Sequence, residues 1–296
     1  MKVVRTVEQL RESLDQLRSA GRGPVGLVPT MGFLHEGHAS LLRRAKETCG
    51  IVVMSIFVNP IQFGPGEDYE SYPRDEIRDL ALAESRGADI VFIPLAQEMY
   101  PKPTRTKIKV SGLTDKLCGA SRPGHFDGVT TVVTKLINMV QPDYAFFGLK
   151  DAQQVAVLSQ MVEDLNMNVT IVPCPLIRES DGLALSSRNV YLSAEERRQA
   201  LVLSRSLREA RTAIEDGRVI TAGEARELIV SVISESPLAD IDYADILSFP
   251  ALEPIAADLP LTRAEGEIIM ALAVRFGRTR LIDNIVFTPK EVAALV

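Results

Sequence analysis

The sequence predicts an α/β protein in which a parallel sheet covered by helices precedes a smaller α+β domain. In the first half, short runs of β-branched and apolar residues alternate with segments of helical periodicity. This alternation is typical of a parallel sheet with helices on both faces. After about Ile177, charged helical patterns are followed by strand patterns with no helix between them. That order indicates a small antiparallel sheet in a second domain.

The elements of the first half are predicted from the spacing and type of their apolar residues. Strands are expected where β-branched and aromatic residues cluster, at 25–29, 51–58, 89–94, 143–148 and 169–173. Helices are expected where apolar residues recur every three or four positions, at about 37–49, 75–86, 129–140 and 152–165. A long polar loop is predicted at 59–73, and Gly87 is expected to end the helix before it in the left-handed conformation. With right-handed crossovers between its strands, this half is a Rossmann-like domain.

The second half has longer and more charged helical patterns. Helices are predicted at about 193–216 and 221–234, and Ser193 followed by Glu196 has the spacing of a capping box. Strands are predicted at 241–247, 267–274 and 279–283. We expect residues 1–176 to form the first domain and residues 177–296 the second.

The composition is that of an ordinary globular chain. The chain has 296 residues, of which 46% are hydrophobic and 24% charged, and its net charge is −6. No basic patch or stripe stands out, so nucleic acid is not an expected partner. The longest apolar runs, such as 51–58, fall far short of the roughly 20 residues that a membrane-spanning helix needs. We therefore expect no membrane partner.

The cysteines and the N-terminal segment indicate the compartment. The chain has three cysteines, Cys49, Cys118 and Cys174, which are scattered and show no CxxC spacing. This pattern argues against a disulfide framework and against a zinc site built on thiolates, and it favours a reducing compartment. The N-terminal segment turns polar after a few residues, unlike a secretory signal. A cytoplasmic location is the expectation.

The segment PTMGFLHEGHASLL at 29–42 is the most informative part of the sequence. His35 and His38, two of only three histidines in the chain, lie three residues apart at a predicted strand-to-helix turn. Gly32 permits a tight turn, and Gly37 permits close approach of backbone or ligand. The free N–H groups and the dipole of a helix N-terminus attract phosphate. Imidazole donors placed there can follow negative charge as it builds on a phosphoryl group.

Two plainer interpretations of this segment stay open from the residues alone. His35 and His38 are compatible with ordinary, partly exposed histidines that bind nothing. A zinc site is the other alternative, although HEGH is not HExxH and no third ligand is apparent in the sequence. The strand–turn–helix context favours phosphate over both.

Several motifs resemble a known family. HEGH is similar to the HxGH signature of the nucleotidyltransferase superfamily, which includes the class I aminoacyl-tRNA synthetases. The whole chain resembles one branch of it more closely, the pantoate–β-alanine ligase family. The segments that carry this resemblance, in the family's order, are FVNPIQFGPGEDYESYPR, RPGHFDGVTTVVTKL, FFGLKDAQQ, DGLALSSRNVYL, IDYADI and TRLIDN. They extend over nearly the whole sequence.

The resemblance implies an ATP-dependent ligase with two half-reactions. Pantoate and ATP give pantoyl adenylate and pyrophosphate, and β-alanine then attacks the adenylate to give pantothenate, a coenzyme A precursor, and AMP. The first domain is then expected to bind ATP and pantoate, and the second to carry a mobile SSRN loop over the phosphates. A homodimer is implied as well, and Mg²⁺ is expected to accompany ATP.

The resemblance also assigns residues. His38 is implied as catalytic, together with His35, Lys150 and Arg188. Gln62 is implied to bind pantoate and β-alanine, Gln154 to bind pantoate, and Tyr72 is expected to close the same pocket. The residues implied to bind ATP are Met31, Gly32, Phe33, Leu34, His35, Glu36, Gly37, His38, Gly148, Leu149, Lys150, Asp151, Ile177, Leu185, Ser186, Ser187 and Arg188.

The residue types fit the electrostatic problem of the first half-reaction. A carboxylate must approach the α-phosphate of a polyanion, so the site must position the reactants and supply fixed positive charge. Lys150 follows Gly148 at the end of a predicted strand, where α/β sheets bind ligands. Taken alone, Lys150 is compatible with a solvated surface lysine, and the SSRN loop with a simple cap of the helix after it.

Asp79 matches a family position associated with metal, and it is the one metal ligand that the resemblance implies. The residue before it is Arg78, where some relatives have a second acid. Asp79 is therefore equally compatible with a solvated helix residue. Leu185 and Leu149 stand where the family commonly has methionine and a charged residue. For His125 we expect a structural or interface role.

Three other functions stay open from the sequence. A nucleotidylyltransferase that keeps the nucleotide in its product belongs to the same superfamily, and Gln62 and Gln154 argue against it. The second alternative is a nucleotide sensor without catalysis. Binding alone does not require all of His38, Lys150 and Arg188, so their presence together argues against it. A zinc hydrolase is the third alternative, which metal analysis would decide.

Overall fold

The computed structural model describes residues 1–289 and divides the chain into two compact units. Unit 1 comprises Met1–Thr114 and Arg122–Ile177. Unit 2 comprises Asp115–Ser121 and the described chain from Arg178 onward. The sequence predicts two consecutive domains and does not foresee that Asp115–Ser121 groups with unit 2.

Unit 1 is built on a six-stranded sheet in the order β1-β4-β3-β2-β5-β6, and every pairing in it is parallel. The predicted Rossmann-like sheet is thus confirmed. The strands are β1 Lys2–Val4, β2 Val25–Thr30, β3 Ile51–Ile56, β4 Ile90–Phe92, β5 Tyr144–Gly148 and β6 Thr170–Cys174. The sequence does not predict β1, because three residues are too few to show a period. All six residues of β3 are buried, as expected of a central strand covered on both faces.

Seven helices alternate with the strands in the first part of the chain, residues 1–177. They are α1 Val7–Ser19, α2 Glu36–Thr48, α3 Glu76–Ser85, α4 Ala96–Met99, α5 Leu117–Ser121, α6 His125–Val140 and α7 Ala152–Asp164. Single 3-10 turns occur at Pro60–Gln62 and Leu149–Asp151. Helix α6 begins four residues before its predicted start at 129, because Gly124 (φ 82°) turns the chain into it. Gly87 has φ 82°, which confirms the left-handed residue after α3.

The strand order places a topological switch point at β2. From β2 the chain moves to β3 and β4 on one side and later returns to β5 and β6 on the other. Strands β2 and β5 pair in parallel, so their carboxyl ends lie at the same edge while the chain leaves them in opposite directions. Open α/β sheets bind ligands in the crevice at such a point.

Unit 2 packs helices on a three-stranded sheet in the order β7-β8-β9, and both pairings are antiparallel, as predicted. The strands are β7 Ala239–Phe249, β8 Glu267–Phe276 and β9 Thr279–Phe287, and the helices are α8 Ala194–Ala200, α9 Val202–Glu215 and α10 Ala222–Ser234. The single helix predicted at 193–216 is interrupted at Leu201. This residue keeps near-helical dihedral angles (φ −61°, ψ −18°), so its residue type gives no sign of the interruption.

The segment Asp115–Ser121 is held to unit 2 by polar contacts. The Lys116 ammonium lies 3.2 Å from a carboxylate oxygen of Glu253. Ser121 Oγ donates to Oδ2 of Asp242 at 2.9 Å. Cys118 Sγ is 3.2 Å from the hydroxyl of Tyr243. Unit 2 is therefore assembled from two separate stretches of the chain.

Two further findings bear on the sequence predictions. Within residues 1–289, no helix has the length and apolar character that a bilayer span requires. Cys49, Cys118 and Cys174 are buried and form no disulfide.

Candidate functional site

A tight turn joins the end of β2 to helix α2 at the switch point. Gly32 (φ 88°) and Phe33 (φ 50°) both adopt left-handed backbone conformations. Such conformations are ordinary for glycine and unfavourable for phenylalanine, so the surrounding structure must stabilise the turn. The turn delivers His35 to the N-cap position of α2.

The two histidines of the turn cap the helix reciprocally. Nδ1 of His35 accepts a hydrogen bond from the Gly37 amide at 3.1 Å, and Nδ1 of His38 accepts from the His35 amide at 3.2 Å. This is a capping box in which imidazoles replace the usual hydroxyl and carboxylate. The ring centroids are 4.1 Å apart. The spacing that predicts a phosphate site is thus also the spacing of a helix cap.

The caps fix the tautomers of both rings. A neutral imidazole has one acceptor and one N–H, so a ring whose Nδ1 accepts carries its proton on Nε2. Burial, and then the nearby His35 and the positive charge of Lys150, hold the pKa of His38 well below its ordinary value. His38 is therefore neutral at pH 7 and presents Nε2–H as a hydrogen-bond donor. In this state the ring donates without contributing a charge of its own.

Lys150 supplies positive charge at the same edge of the sheet. It lies in the 3-10 turn Leu149–Asp151 directly after β5, and its side chain is 22% exposed. Its ammonium is 3.7 Å from a carboxylate oxygen of Asp151. Unit 1 thus brings His35, His38 and Lys150 together, as the sequence predicts for the phosphate site. The surface-lysine alternative does not describe a side chain this covered.

Gln62 is held by a buried network of amides. Its Oε1 accepts from Nδ2 of Asn59 at 3.0 Å, and the same nitrogen donates to the carbonyl of Gly128 at 3.1 Å. The hydroxyl of Tyr100 donates to Oδ1 of Asn59 at 2.8 Å. Nε2 of Gln62 lies 3.3 Å from the sulfur of Met31, which is only a weak acceptor.

This network determines which end of the Gln62 amide faces outward. The Gly128 carbonyl can only accept, so the Asn59 atom beside it is the nitrogen. That nitrogen must then donate to Oε1 of Gln62, which turns the Gln62 amide nitrogen toward Met31. Gln62 therefore presents donors, the groups that recognise a carboxylate or a hydroxyl oxygen.

The backbone of Gln62 is fixed as well. Nδ1 of His125 is 2.8 Å from the Gln62 carbonyl, and Nη1 of Arg122 is 3.1 Å from Nε2 of the same ring. Burial, reinforced by the Arg122 guanidinium, lowers the pKa of His125 to about 4. The neutral ring donates from Nδ1 and accepts at Nε2. His125 thus holds Gln62 in place, which agrees with the structural role expected for it.

The loop after Gln62 is held by two arginines. Arg122 forms a two-pronged ion pair with Glu67, with distances of 2.7 and 2.5 Å. Arg74 donates to the Tyr72 carbonyl at 3.0 Å and to two other carbonyls of the loop. Tyr72 is buried, and its ring meets that of Phe63 edge-on at 6.1 Å. These contacts order a loop that the sequence predicts only as polar.

Two other residues of unit 1, Gln154 and Ile177, are assigned to the site from the sequence. Gln154 is in the first turn of α7 and is partly buried. Ile177 follows β6 as the last residue of unit 1 and is partly buried. The roles of Gln154 and Ile177 stay predictions.

The geometry of Asp79 does not fit the direct metal ligation predicted for it. Its side chain is buried, and its two oxygens accept from the amides of Phe33 and Leu34. Burial raises the pKa of Asp79, and the two amide donors oppose this rise. Among residues 1–289 no group of three or more His, Cys, Asp or Glu side chains is placed to hold a metal ion. The zinc alternative therefore has no ligand set in the described chain.

The SSRN loop belongs to unit 2. Ser186 Oγ accepts from the Arg188 amide at 3.3 Å, and Asn189 Nδ2 donates to Glu179 at 2.9 Å. Helix α8 is capped by Ser193, whose hydroxyl accepts from the Glu196 amide at 3.2 Å. The predicted capping box is thus present, and Ser193 caps α8. The SSRN segment does have a capping role, because Ser186 caps the 3-10 turn Ser187–Tyr191 that directly follows it. The role of Leu185, Ser186, Ser187 and Arg188 toward ATP stays a prediction.

The sequence does not single out several residues of the network around Gln62. Asn59 lies shortly after Ile56, the last residue of β3, at the carboxyl edge where ligand-binding residues collect, and this position is the available signal. Tyr100 and Glu67 gave no such signal, because their partners are 41 and 55 residues away in the chain. Arg122 lies within the RPGHFDG segment but has no periodicity to distinguish it.

A helix N-terminus capped by HxGH histidines, at the switch point of a parallel sheet, defines an α/β enzyme of the nucleotidyltransferase class. Comparison with known proteins narrows this class. The family model for pantoate-beta-alanine ligase matches residues 2–286. The chain belongs to the pantoate–β-alanine ligase family.

The most similar relatives compared are full-length matches. The pantothenate synthetase of Pelotomaculum thermopropionicum is 55% identical over 284 residues, which cover 96% of this chain and 98% of that protein. The pantothenate synthetase of Heliobacterium modesticaldum is 55% identical over 285 residues, covering 96% and 99%. The chain thus corresponds to these proteins over nearly their whole length.

Solved structures agree with the fold. The pantothenate synthetase of Thermus thermophilus matches with a TM-score of 0.88 and 45% identity, covering 96% of this chain and 99% of that one. The pantoate-beta-alanine ligase of Francisella tularensis, complexed with beta-gamma ATP and beta-alanine, matches with a TM-score of 0.78 and 32% identity, covering 98% of each chain. The two units described above are therefore the architecture of this family.

Proposed function

We propose that this protein joins pantoate to β-alanine to give pantothenate, with ATP as co-substrate and pantoyl adenylate as the intermediate. The observation that carries the proposal is the histidine turn. Two neutral imidazoles present Nε2–H donors at a helix N-terminus, with the Lys150 ammonium at the same sheet edge. This set of groups suits an ATP phosphate. Membership of the family indicates that the acid is pantoate and the amine is β-alanine.

In the first half-reaction, a carboxylate oxygen of pantoate attacks the α-phosphorus of ATP, and the bond to the bridging oxygen of pyrophosphate breaks. Negative charge increases on the phosphate oxygens as the reaction proceeds. His38 and His35 donate hydrogen bonds to these oxygens, and Lys150 offsets their charge. Arg188, delivered by the SSRN loop of unit 2, adds a planar guanidinium that can bind two phosphate oxygens. His38, His35, Lys150 and Arg188 are the catalytic residues of this proposal.

In the second half-reaction, the amine of β-alanine attacks the carbonyl carbon of pantoyl adenylate. The new C–N bond replaces the C–O bond to phosphate, AMP leaves, and the amine loses a proton. Gln62 donates from its oriented amide to pantoate and β-alanine, and Gln154 donates to pantoate. Tyr72 closes this pocket from the ordered loop.

The nucleotide lies along the carboxyl edge of the sheet in this proposal. The residues that would contact it are Met31, Gly32, Phe33, Leu34, Glu36 and Gly37 around the two histidines, then Gly148, Leu149 and Asp151 around Lys150, and finally Ile177, Leu185, Ser186 and Ser187. The glycines let the backbone approach the phosphates closely. Leu149 and Leu185 act through their backbone groups.

Mg²⁺ is expected to accompany ATP, and the described residues offer it no set of three ligating side chains. When bound, it would neutralise charge on the phosphates of the nucleotide. A cytoplasmic location is also proposed, and the three free cysteines are compatible with it. We also propose that the protein is a homodimer. Light scattering on the purified protein should then give about twice the chain mass of 32.4 kDa.

Pantoate-dependent exchange between ATP and pyrophosphate tests the proposed reaction. Labelled pyrophosphate should appear in ATP only when pantoate is present, without any need for β-alanine. AMP should then form only when β-alanine is added. A nucleotidylyltransferase would instead retain the nucleotide in its product, and a nucleotide sensor would give no exchange. Folded protein that shows no exchange with pantoate would overturn the proposal.

A further inference from the structure

Asp79 is a buried acid in the first turn of α3, and its side chain faces the histidine turn. Only 1% of the residue is exposed. Its Oδ2 accepts from the Phe33 amide at 2.8 Å, and its Oδ1 accepts from the Leu34 amide at 2.6 Å. A carboxylate that accepts from two successive amides holds that piece of backbone in a single orientation.

The backbone held in this way is the strained part of the turn. Phe33 has φ 50°, a backbone conformation that residues other than glycine rarely adopt. A Cβ on Gly32 would lie 3.0 Å from Asp79 Oδ2 and 3.0 Å from Cγ2 of Ile56. Gly32 is therefore needed both for its φ of 88° and for the close approach of Asp79. The next residue after Leu34 is His35, the N-cap of α2.

A metal ion is a poor fit at this carboxylate. Mg²⁺ requires octahedral coordination and usually keeps several of its waters. Both oxygens of Asp79 already accept amide hydrogens, and the burial of the residue leaves little room for water. No further acid, histidine or cysteine completes a set of three ligands with it among residues 1–289.

We infer that Asp79 is a positioning residue of the ATP site and does not ligate metal. It fixes the Gly32–Leu34 backbone, and thereby sets the place at which His35 caps α2 and at which both imidazoles present Nε2–H. The inference rests on the proposed role of these histidines in binding ATP. It assigns the effect of Asp79 to the geometry of the turn, so that this effect is independent of Mg²⁺.

The test compares Asp79→Asn with Asp75→Asn in the full-length protein. The asparagine at 79 retains one acceptor and turns an NH₂ group toward the second amide, so one of the two bonds is lost. Asp75 caps the same helix by accepting from the Arg78 amide at 3.1 Å, and asparagine caps equally well. The control thus removes the same charge from the same helix end without disturbing the turn.

Two quantities separate positioning from metal ligation. Calorimetry measures ATP binding in EDTA and again with Mg²⁺, and exchange at saturating ATP measures the Mg²⁺ concentration for half-maximal rate. For Asp79→Asn we expect ATP binding at least tenfold weaker in both conditions and a half-maximal Mg²⁺ concentration within twofold of wild type. Asp75→Asn should match wild type in both. Unchanged binding in EDTA, or a tenfold shift in the Mg²⁺ requirement, would overturn the inference.

A measurement on the wild type covers the case in which Asp79→Asn does not fold. The amides of Phe33 and Leu34 should exchange their hydrogens slowly in EDTA, and addition of Mg²⁺ alone should leave these rates unchanged. Fast exchange in EDTA, or protection that appears only with Mg²⁺, contradicts the inference. Failure of the proposed reaction is distinguishable, because it removes pantoate-dependent exchange from the wild type and leaves ATP binding and amide protection as independent measurements.

Discussion

The hydroxyl of Tyr100 donates to Oδ1 of Asn59 at 2.8 Å, although 41 residues separate them, and both belong to the network around Gln62. The bond helps to hold the Asn59 amide, whose nitrogen donates to Oε1 of Gln62. A tyrosine that need not touch a substrate thus helps to hold the amide orientation that the Gly128 carbonyl sets.

Tyr100→Phe should weaken pantoate recognition and leave ATP recognition intact. The change removes the hydroxyl and keeps the ring, so Asn59 loses one of the bonds that hold it and Gln62 is held less firmly. The loss of one such bond, about 1 kcal/mol, corresponds to a rise of roughly fivefold in the KM for pantoate. Steady-state kinetics of pantothenate formation measures this. Tyr144→Phe, at a partly buried ring of the same unit, is the control, and an equal rise in the KM for ATP would contradict the explanation.

His38→Ala should keep the fold and lose ATP–pyrophosphate exchange by a factor of about 10² to 10³, the usual effect of deleting one donor to a developing charge. His38→Gln offers an amide donor of similar reach and should lose less. Circular dichroism of both variants checks that their overall helix content matches that of the wild type. Exchange within a few-fold of wild type in the alanine variant would remove His38 from the proposed chemistry.

Stability should fall as the pH drops below about 6.5, because His125 stays neutral in the folded protein. Its pKa is lowered to about 4 by burial, whereas the unfolded chain takes up the proton near 6.5. Between these two pH values the unfolded state binds more protons than the folded state, so the free energy of unfolding rises with pH. The contribution of His125 to stability is complete above about pH 6.5. From pH 7 to pH 5 the loss is on the order of 2 kcal/mol for this group.

His125→Asn isolates this contribution. The asparagine amide can replace Nδ1 as donor to the Gln62 carbonyl, but it does not titrate. Urea unfolding at pH 7 and pH 5 should therefore show a smaller loss in the variant than in wild type. His38 contributes with the same sign because its pKa is also lowered, so the difference between the two proteins is the quantity to compare. Equal losses would show that His125 is not the group responsible.

Gly128→Ala should destabilise the protein although alanine favours helices. A Cβ at this position would lie 2.5 Å from Cα of Gln62 and from the carbonyl oxygen of Ile61. The overlap costs about 1–3 kcal/mol, more than the roughly 1 kcal/mol of helix propensity gained. Urea unfolding measures the net loss, and the KM for pantoate should rise because Gln62 is displaced. Gly23→Ala, whose Cβ would meet no atom within 4 Å, is the matched control.

The fold was predictable because its signals are local. Strand β3 is marked by its run of β-branched and apolar residues, helix α2 by the spacing of its apolar residues, and Gly87 marks its helix end by residue type. The interruption of the helix at Leu201 was not predictable, because a residue with near-helical dihedral angles need not be a glycine or a proline. The three residues of β1 are recognisable only through their pairing with β4.

The site was predictable where chemistry and local structure coincide. His35 and His38 are conspicuous because the chain has so few histidines and because they stand at a strand-to-helix turn. The fixing of Gln62 by Asn59 and Tyr100 was not predictable, since it depends on pairings between distant segments. Asp79 shows the opposite limit, because its similarity to a metal-associated position gave no indication of the two amides that it binds.

The excursion of Asp115–Ser121 bears on how the two halves of this protein can be produced separately. A gene fragment that stops at Ile177 would still encode Lys116 and Ser121 but not Glu253 and Asp242, the acids that anchor them. A fragment that starts at Arg178 would lack one of its own helices. Recombinant dissection of this enzyme therefore requires grafting a short peptide from one fragment onto the other, and a single cut cannot yield both pieces intact.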